Sequence, residues 1–329
     1  MDKVKQNLKR CSSLLVLAIL TGVLALFVPN FLTINNLINI IRQAAVNGII
    51  SVGMLVVLIT GGIDLSVGGN AILCACIMGA FLNKLNIDNP VILVMVCIFA
   101  GLIVGLTNGL LFTKLHLPHP FVSTLGMKNI VCGLALLVVS TKTISGFPKA
   151  ITWLGEETFY LKEDLPGIPV SFVVLIVIYI LTDIMLRYTS LGKKIFCIGG
   201  NIETARLSGI KTDSVLVFVY SFSGLMCAIA GIVIIGRSGV ANPSSAFFSY
   251  DTDAIAACII GGASFSGGKG NIWGTLIGVF VITIIRNGLT LLNIASELQY
   301  IVIGIVIIAV VFWDVIRKNA VSKVNEISR

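Results

Sequence analysis

Charge is what this sequence has least of. Aspartate, glutamate, lysine and arginine make up 12% of its 329 residues, where a soluble domain carries roughly 25%. With 57% hydrophobic residues and a mean hydropathy of +1.03, that shortage excludes a water-soluble core, which could not absorb so much apolar side chain. Histidine is nearly absent. The two that exist, His116 and His119, are interrupted by Pro118 and have no acidic residue beside them in sequence. A loop at the membrane surface is therefore a simpler reading than a metal or proton-relay site. Paired acids, or a nucleophile with its base, are also missing, which argues against a membrane enzyme. So is the phosphate-cradling pattern Gly-x-x-x-x-Gly-Lys-Ser/Thr. The nearest string, FSGGKGN at 265–271, lacks the first glycine at the required offset and has Gly270 where a magnesium-binding hydroxyl should stand. The chain is expected not to hydrolyse ATP. Nor do the eight cysteines form a disulfide framework or a metal site: Cys74, Cys76, Cys97, Cys132, Cys227 and Cys258 lie inside apolar runs, while Cys11 and Cys197 flank cytoplasmic segments.

What is present is a series of apolar runs, each near the roughly 20 residues that cross a bilayer. The formal net charge of +8 would suggest nucleic acid in a soluble protein, but the charges sit between these runs, and no nucleic-acid partner is expected. Candidate spans fall at 12–29, 43–60, 65–83, 90–112, 120–140, 169–187, 214–236, 250–262, 271–291 and 297–316. The first follows MDKVKQNLKR and has no small-residue cleavage site after it, so it reads as an uncleaved span rather than a signal peptide. The expected fold is an all-α polytopic membrane protein of about ten transmembrane helices, forming one transmembrane domain over 1–329. With ten spans, Lys3, Lys5, Lys9, Arg10, Lys114, Arg187, Lys193, Lys194, Arg206, Lys211, Lys269, Arg317, Lys318, Lys323 and Arg329 gather on one side. The positive-inside rule makes that side cytoplasmic and places both termini there. Arg42, Lys84, Lys142, Lys149, Lys162 and Arg237 fall outside.

Two connections are long. The outer one, about 141–168, contains Trp153 and LPGIP and reads as a short helix and loop on the membrane face. The inner one, about 188–213, contains a small helix: Asn201 is placed to cap it, Glu203 favours its positive end, and Gly209 can stop it in a left-handed conformation.

An internal echo links GGIDLSVGGN at 61–70 with GGASFSGGKGN at 261–271, matching Gly61, Gly62, Ser66 and Gly68 with Gly261, Gly262, Ser266 and Gly268. In hydrocarbon such glycine-rich stretches leave backbone groups unpaired unless protein or a wet path satisfies them. Broken helices at repeat junctions are a transporter device. Gly61, Gly62, Asp64, Ser66, Gly68, Asn70, Gly261, Gly262 and Ser266 are therefore the candidates for the substrate path or helix break. Asp64 has two open roles: to cap the broken end with Ser66, or to face the path and accept hydroxyl hydrogen bonds.

Together GGIDLSVG, HLPHPFVSTLG at 116–126, SLGKKIFCIGGNIETARLSGIK at 190–211 and IIGGASFSGGKGNIWGTLIG at 259–278 resemble the permease subunits of bacterial ATP-binding-cassette importers for monosaccharides of the ribose, xylose and allose type. The match runs through nearly the whole chain in order. Two departures are Pro118-His119-Pro120-Phe121, where the family has a shorter proline stretch, and Lys128, where the span is normally apolar. The resemblance implies an inner-membrane pore of two permeases, identical or related, fed by a periplasmic or lipid-anchored sugar-binding protein. Two cytoplasmic ATPase subunits would drive it and would hold ATP and magnesium, leaving this chain without a cofactor. Gly199, Asn201, Glu203, Ala205, Arg206 and Gly209 are then the ATPase-coupling candidates, and Arg42, Lys84, Lys149 and Arg237 the docking candidates for the binding protein. The rival reading is an ion-coupled secondary transporter of a small polar solute, for which Asp64, Lys128, Asp183 and Arg286 offer ionisable groups within spans.

Overall fold

The computed structural model describes residues 2–115, 117, 119–159, 167–247, 250–295, 297–309 and 312. His116, Pro118, Lys162, the basic residues of 317–329 and the side chains of Lys3, Lys5, Lys9, Arg10 and Cys11 lie outside that description. The chain forms helices α1 (Asp2–Phe27), α2 (Ile34–Ile59), α3 (Val67–Lys84), α4 (Pro90–Lys114), α5 (Phe121–Val138), α6 (Lys149–Glu156), α7 (Val170–Tyr188), α8 (Ser190–Gly200), α9 (Ile202–Leu207), α10 (Thr212–Ser238), α11 (Tyr250–Ile260) and α12 (Ile272–Leu291). A further apolar helix covers Glu297–Ala309. Sheet is confined to two antiparallel scraps, β1 (Ile144–Ser145) with β4 (Val240–Ala241), and β2 (Thr158–Phe159) with β3 (Ile168–Pro169).

Among the described residues, seven helices are long and apolar enough to cross a membrane: α2, α3, α4, α5, α7, α10 and α12. The molecule is an all-helical, multi-pass membrane protein. Of the other expected spans, the eighth is only the 11-residue α11, and the first and last appear as the shorter apolar stretches Leu14–Phe27 and Glu297–Ala309.

The centre of the bundle is α2. From residue 44 to residue 59 every position is buried, which suits a helix that is apolar all round. Neighbours α3, α7, α10, α11 and α12 pack around it. Peripheral α4 shows the opposite pattern. Ile92, Met95, Phe99, Ile103, Leu106 and Leu110 are exposed at helical spacing, a stripe that lipid covers. Its other face carries Gly101, Gly105 and Gly109, where an added Cβ would run into the backbone of α10; small residues at a four-residue period let two membrane helices close on each other. Pro90 opens α4, and Asn89 caps it by accepting from the N–H of Val91 at 2.9 Å.

The outer connection is the expected short helix, α6, held against the end of α10: an added Cβ on Gly155 would strike the backbone of Gly236 and Arg237. In the inner connection only one small helix was expected. A second, α8, precedes it, capped by Thr189, whose hydroxyl oxygen accepts from the N–H of Gly192 at 3.1 Å.

Candidate functional site

Both glycine-rich stretches end one helix and begin another, and they end the first in the same way. At the end of α2, Gly61 takes φ +81°, its N–H bonds the carbonyl of Leu58 and the N–H of Gly62 bonds that of Val57. At the end of α11, Gly262 takes φ +95°, with the N–H of Gly262 on Ile259 and that of Ala263 on Cys258. Each is a Schellman stop built on a left-handed residue that glycine alone adopts without strain. The register differs from the sequence alignment by one. Gly61 corresponds to Gly262 rather than Gly261, because the hydrogen-bonded turn, and not the paired glycines, defines the stop. Gly261 instead packs directly on the backbone of Gly274 and Thr275 at the start of α12.

The α2 stop meets the Gly267–Gly268 turn that follows α11, and the end of α8 meets both. Gly268 donates its N–H to the carbonyl of Ile59 at 2.9 Å. A Cβ on Gly267 would lie 2.9 Å from the nitrogen of Gly61 and 2.7 Å from the carbonyl oxygen of Gly199. A Cβ on Gly199 would overlap the carbonyl oxygen of Ile59 outright. Three glycine turns thus interlock through bare backbone. Beside them opens a cavity of about 450 Å³, lined by Thr60, Gly62, His119, Asn201, Glu203 and Ser266 among others.

One turn deeper, Asp64 is 2% exposed. Its Oδ1 accepts from the N–H of Ser66 at 3.0 Å, the Ser66 hydroxyl at 2.6 Å and Asn108 Nδ2 at 3.4 Å, and its Oδ2 accepts from the Ser223 hydroxyl at 3.1 Å. Ser66 stands at the start of α3 but makes no capping bond with its own side chain; its hydroxyl serves Asp64 and accepts from Asn108 Nδ2 at 2.8 Å. The carboxylate therefore braces the break against α4 and α10. Sequence reading did not find Asn108 or Ser223. Two buried polar atoms nearby, Tyr220 Oη and Asn108 Oδ1, have no hydrogen-bond partner among the described residues, and a Cβ on Gly62 would stand 2.6 Å from that Tyr220 oxygen. Asn70 is turned away, its amide reaching the carbonyl of Gly101 at 3.4 Å, while Gly68 gives room to Tyr250 and Asp251.

Asp64→Asn is expected to accumulate in membranes at close to the normal level, because Asn Oδ1 can keep its three donors and the amide can donate to Ser223. Asp64→Ala leaves buried donors unmet at about 1–3 kcal/mol each and should accumulate poorly. Quantifying both variants in membranes by immunoblot, with uptake measured alongside, separates brace from path: normal accumulation of Asp64→Asn with lost uptake assigns the carboxylate a transport role as well.

The other ionisable candidates within the spans, Lys128, Asp183 and Arg286, are each paired. Lys128 Nζ meets Asp251 Oδ2 at 2.6 Å, and Arg286 clasps Asp253 through Nε at 2.6 Å and Nη2 at 2.8 Å. Asp183 pairs with Arg187 at 2.7 Å within α7.

In α9 the expected small helix is present. Asn201 Oδ1 accepts from the N–H of Thr204 at 2.9 Å. Gly209, at φ +81°, closes it with N–H bonds from Gly209 to Arg206 and from Ile210 to Ala205. Ala205, 3% exposed, faces inward and seats α9 on the bundle. Outward, Glu203 and Arg206 pair with each other at 2.9 Å, an exposed bridge worth about 0–1 kcal/mol. Next to them Leu207 is 86% exposed, an apolar contact that sequence reading passed over.

At the far end, Lys84 closes α3 and Lys149 opens α6, both exposed. Arg237 lies in the last turn of α10. Arg42 does not precede its helix as the spans suggested: α2 begins at Ile34, so Arg42 is two turns inside it and partly buried.

A bundle of membrane helices broken at two glycine-rich stretches, with a capped helix seated beside them, suits a transport permease. Sequence comparison agrees. The chain belongs to the family described as branched-chain amino acid transport system / permease component, whose model matches residues 36–311. It is 38% identical to the ribose import permease protein RbsC of Bacillus subtilis over 313 residues, 95% of this chain and 94% of the relative. The same-named protein of Escherichia coli K12 is 36% identical over 92% of each chain. The galactose/methyl galactoside import permease protein MglC of that strain is 35% identical over 93% of this chain and 94% of the relative. No solved structure matches.

Proposed function

We propose that this chain is the membrane-spanning subunit of an importer that carries a monosaccharide into the cytoplasm, powered by ATP hydrolysed on separate subunits. Relatives that cover nearly the whole chain are named as import permeases for ribose and for galactose or methyl galactoside. The observation that carries the mechanism is the three-way backbone contact: the end of α8 touches the α2 stop and the Gly267–Gly268 turn between α11 and α12, so whatever moves α8 and α9 moves both glycine-rich breaks. Partner ATPase subunits, which hold the ATP and magnesium, dock on the outward face of α9, where Leu207 and the Glu203–Arg206 pair are presented.

In this reading α1, α11 and Glu297–Ala309 complete a count of ten spans, both termini are cytoplasmic, and the cell membrane is bacterial. A second permease subunit packs against α5. There Gly126 and Gly133 meet open space and Asn129 is exposed at mid-helix, a polar and small face poorly matched to lipid. A sugar-binding protein docks at the opposite end through Lys84, Lys149 and Arg237, with Arg42 reaching it only from within the bundle. Ion-coupled transport is the weaker alternative, because Lys128 and Arg286, the cations it would use, are tied to Asp251 and Asp253.

Ala205→Trp and Gly209→Val test the coupling element. Overpacking a buried site costs about 1–3 kcal/mol, and a β-branched residue at positive φ costs a similar amount. Each variant should release the ATPase subunit on co-purification or lower uptake by roughly tenfold, the factor 1.4 kcal/mol represents. Retention of both ATPase association and normal uptake in both variants removes α9 from the coupling role.

A further inference from the structure

A second cavity, of about 320 Å³, lies between α2, α3, the end of α10, β4 and the start of α11. Its floor is formed by Ile72 and Ala75 of α3. These stand 12 and 9 residues before Lys84, which ends that helix, or about 14–18 Å at 1.5 Å per residue. The cavity thus reaches near the middle of a hydrocarbon core about 30 Å thick. Its upper wall carries Arg237, Asn242 and Ser245, and Tyr250 closes one side. Arg237 and Asn242 are exposed at the mouth, above the apolar floor, so their polar groups are open to an entering ligand. An apolar floor, a few convergent polar groups and one aromatic ring are the make-up of a small-molecule site, and the volume falls in the range of such sites.

The polar groups differ in what they have free. Ser238, although on the rim, is committed: its single hydroxyl hydrogen has the carbonyls of Ile234 and Val240 both at 2.8 Å to donate to, and its oxygen accepts from the N–H of Val240. Asn242 has its Oδ1 held by the N–H of Ser244 at 3.0 Å, which orients the side chain and leaves its amide hydrogens to donate. The guanidinium of Arg237 adds a fork of donors. Tyr250, on the wall, also leans on Gly68, the residue just past the α2–α3 break, so an occupant of this cavity touches the side chain that packs on the break.

We propose that this cavity is a transit site for one neutral monosaccharide: Arg237 and Asn242 donate to ring hydroxyls, Ser245 reads a further hydroxyl, and the sugar's apolar face rests on Tyr250 and the α3 floor. The site rests on the sugar-importer reading, and it adds a ligand-facing role for Arg237 to the docking role proposed above.

The test uses the assembled transporter in proteoliposomes, with its binding protein and a panel of neutral pentoses and hexoses beside a sugar acid. In a Cys197→Ser background, Ser245→Cys is labelled with a membrane-impermeant methanethiosulfonate. A transported neutral sugar at about ten times its half-saturating concentration should slow labelling about tenfold, as simple occupancy dictates, while Thr141→Cys, exposed in the loop at the same end, is labelled at an unchanged rate. Ala75→Phe, which fills the floor, should lower uptake while loaded binding protein still stimulates ATP hydrolysis. The site is overturned if a sugar that the wild-type complex transports leaves Ser245→Cys labelling unchanged, or if only the sugar acid protects. Should the wild-type complex transport none of the panel, the importer reading fails and this site with it.

Discussion

Gly199→Ala is expected to abolish uptake almost completely, although it adds a single methyl group. The added Cβ overlaps the carbonyl oxygen of Ile59 and comes within 2.6 Å of the nitrogen of Gly268. Both are backbone atoms, so no side-chain rotation relieves the clash. To admit the methyl, α8 must withdraw from the α2 stop and from the Gly267–Gly268 turn that is bonded to it. Overpacking alone costs about 1–3 kcal/mol, and here the strain falls on the contact that would carry motion. The neighbouring Gly200→Ala is the control, since its Cβ meets nothing within 4 Å and the variant should transport normally. Sugar uptake and binding-protein-stimulated ATP hydrolysis, measured together, should show hydrolysis persisting without transport. A Gly199→Ala permease that transports like the wild type would mean that the three turns do not move as one.

The second large effect is at Arg286. Its guanidinium is 16% exposed and the Asp253 carboxylate 5% exposed, and the cation also sits 5.9 Å over the ring of Tyr300. Removing one partner of a buried pair strands the other, at about 3–5 kcal/mol. Arg286→Leu should therefore cut the amount of folded protein sharply and lower its melting temperature in detergent. The double variant Arg286→Leu with Asp253→Asn should recover much of the loss, because the stranded charge is gone. Arg187→Leu should change little, since Arg187 and Asp183 are 45% and 17% exposed and an i,i+4 helix pair contributes only about 0.3–0.5 kcal/mol. If Arg286→Leu folds as well as Arg187→Leu, the clasp on α11 is ornamental.

What the sequence made legible follows from what is local in the chain. The seven long spans are runs of apolar residues, and the stops at Gly61 and Gly209 are read from glycine against a helical neighbour. The α9 helix was visible because Asn201 and Gly209 bracket a length that fits between them. Contacts distant in sequence were not visible. Asn108 and Ser223 lie within apolar runs, and nothing near them in sequence names Asp64 as partner. The same holds for the reciprocal amide pair of Asn36 and Asn287, at 3.0 and 2.8 Å, which joins α2 to α12. Arg42 was misplaced because a single charge looks like a membrane edge, whereas here the helix starts two turns before it. The one-residue offset between the two stops was hidden because letters align by identity while a helix ends by hydrogen bonding.

Seven cysteines of the described chain are free thiols, and six of them are buried; Cys197 is exposed, on α8, two residues ahead of Gly199. The chain thus carries its own attachment point for a spectroscopic label at the hinge of interest. A nitroxide or fluorophore there, paired with a second label on the rim of the bundle, would follow the distance between α8 and the bundle through a turnover cycle. The native sequence needs no added cysteine on that element, and Gly200, next along the helix, leaves space for the tether to swing.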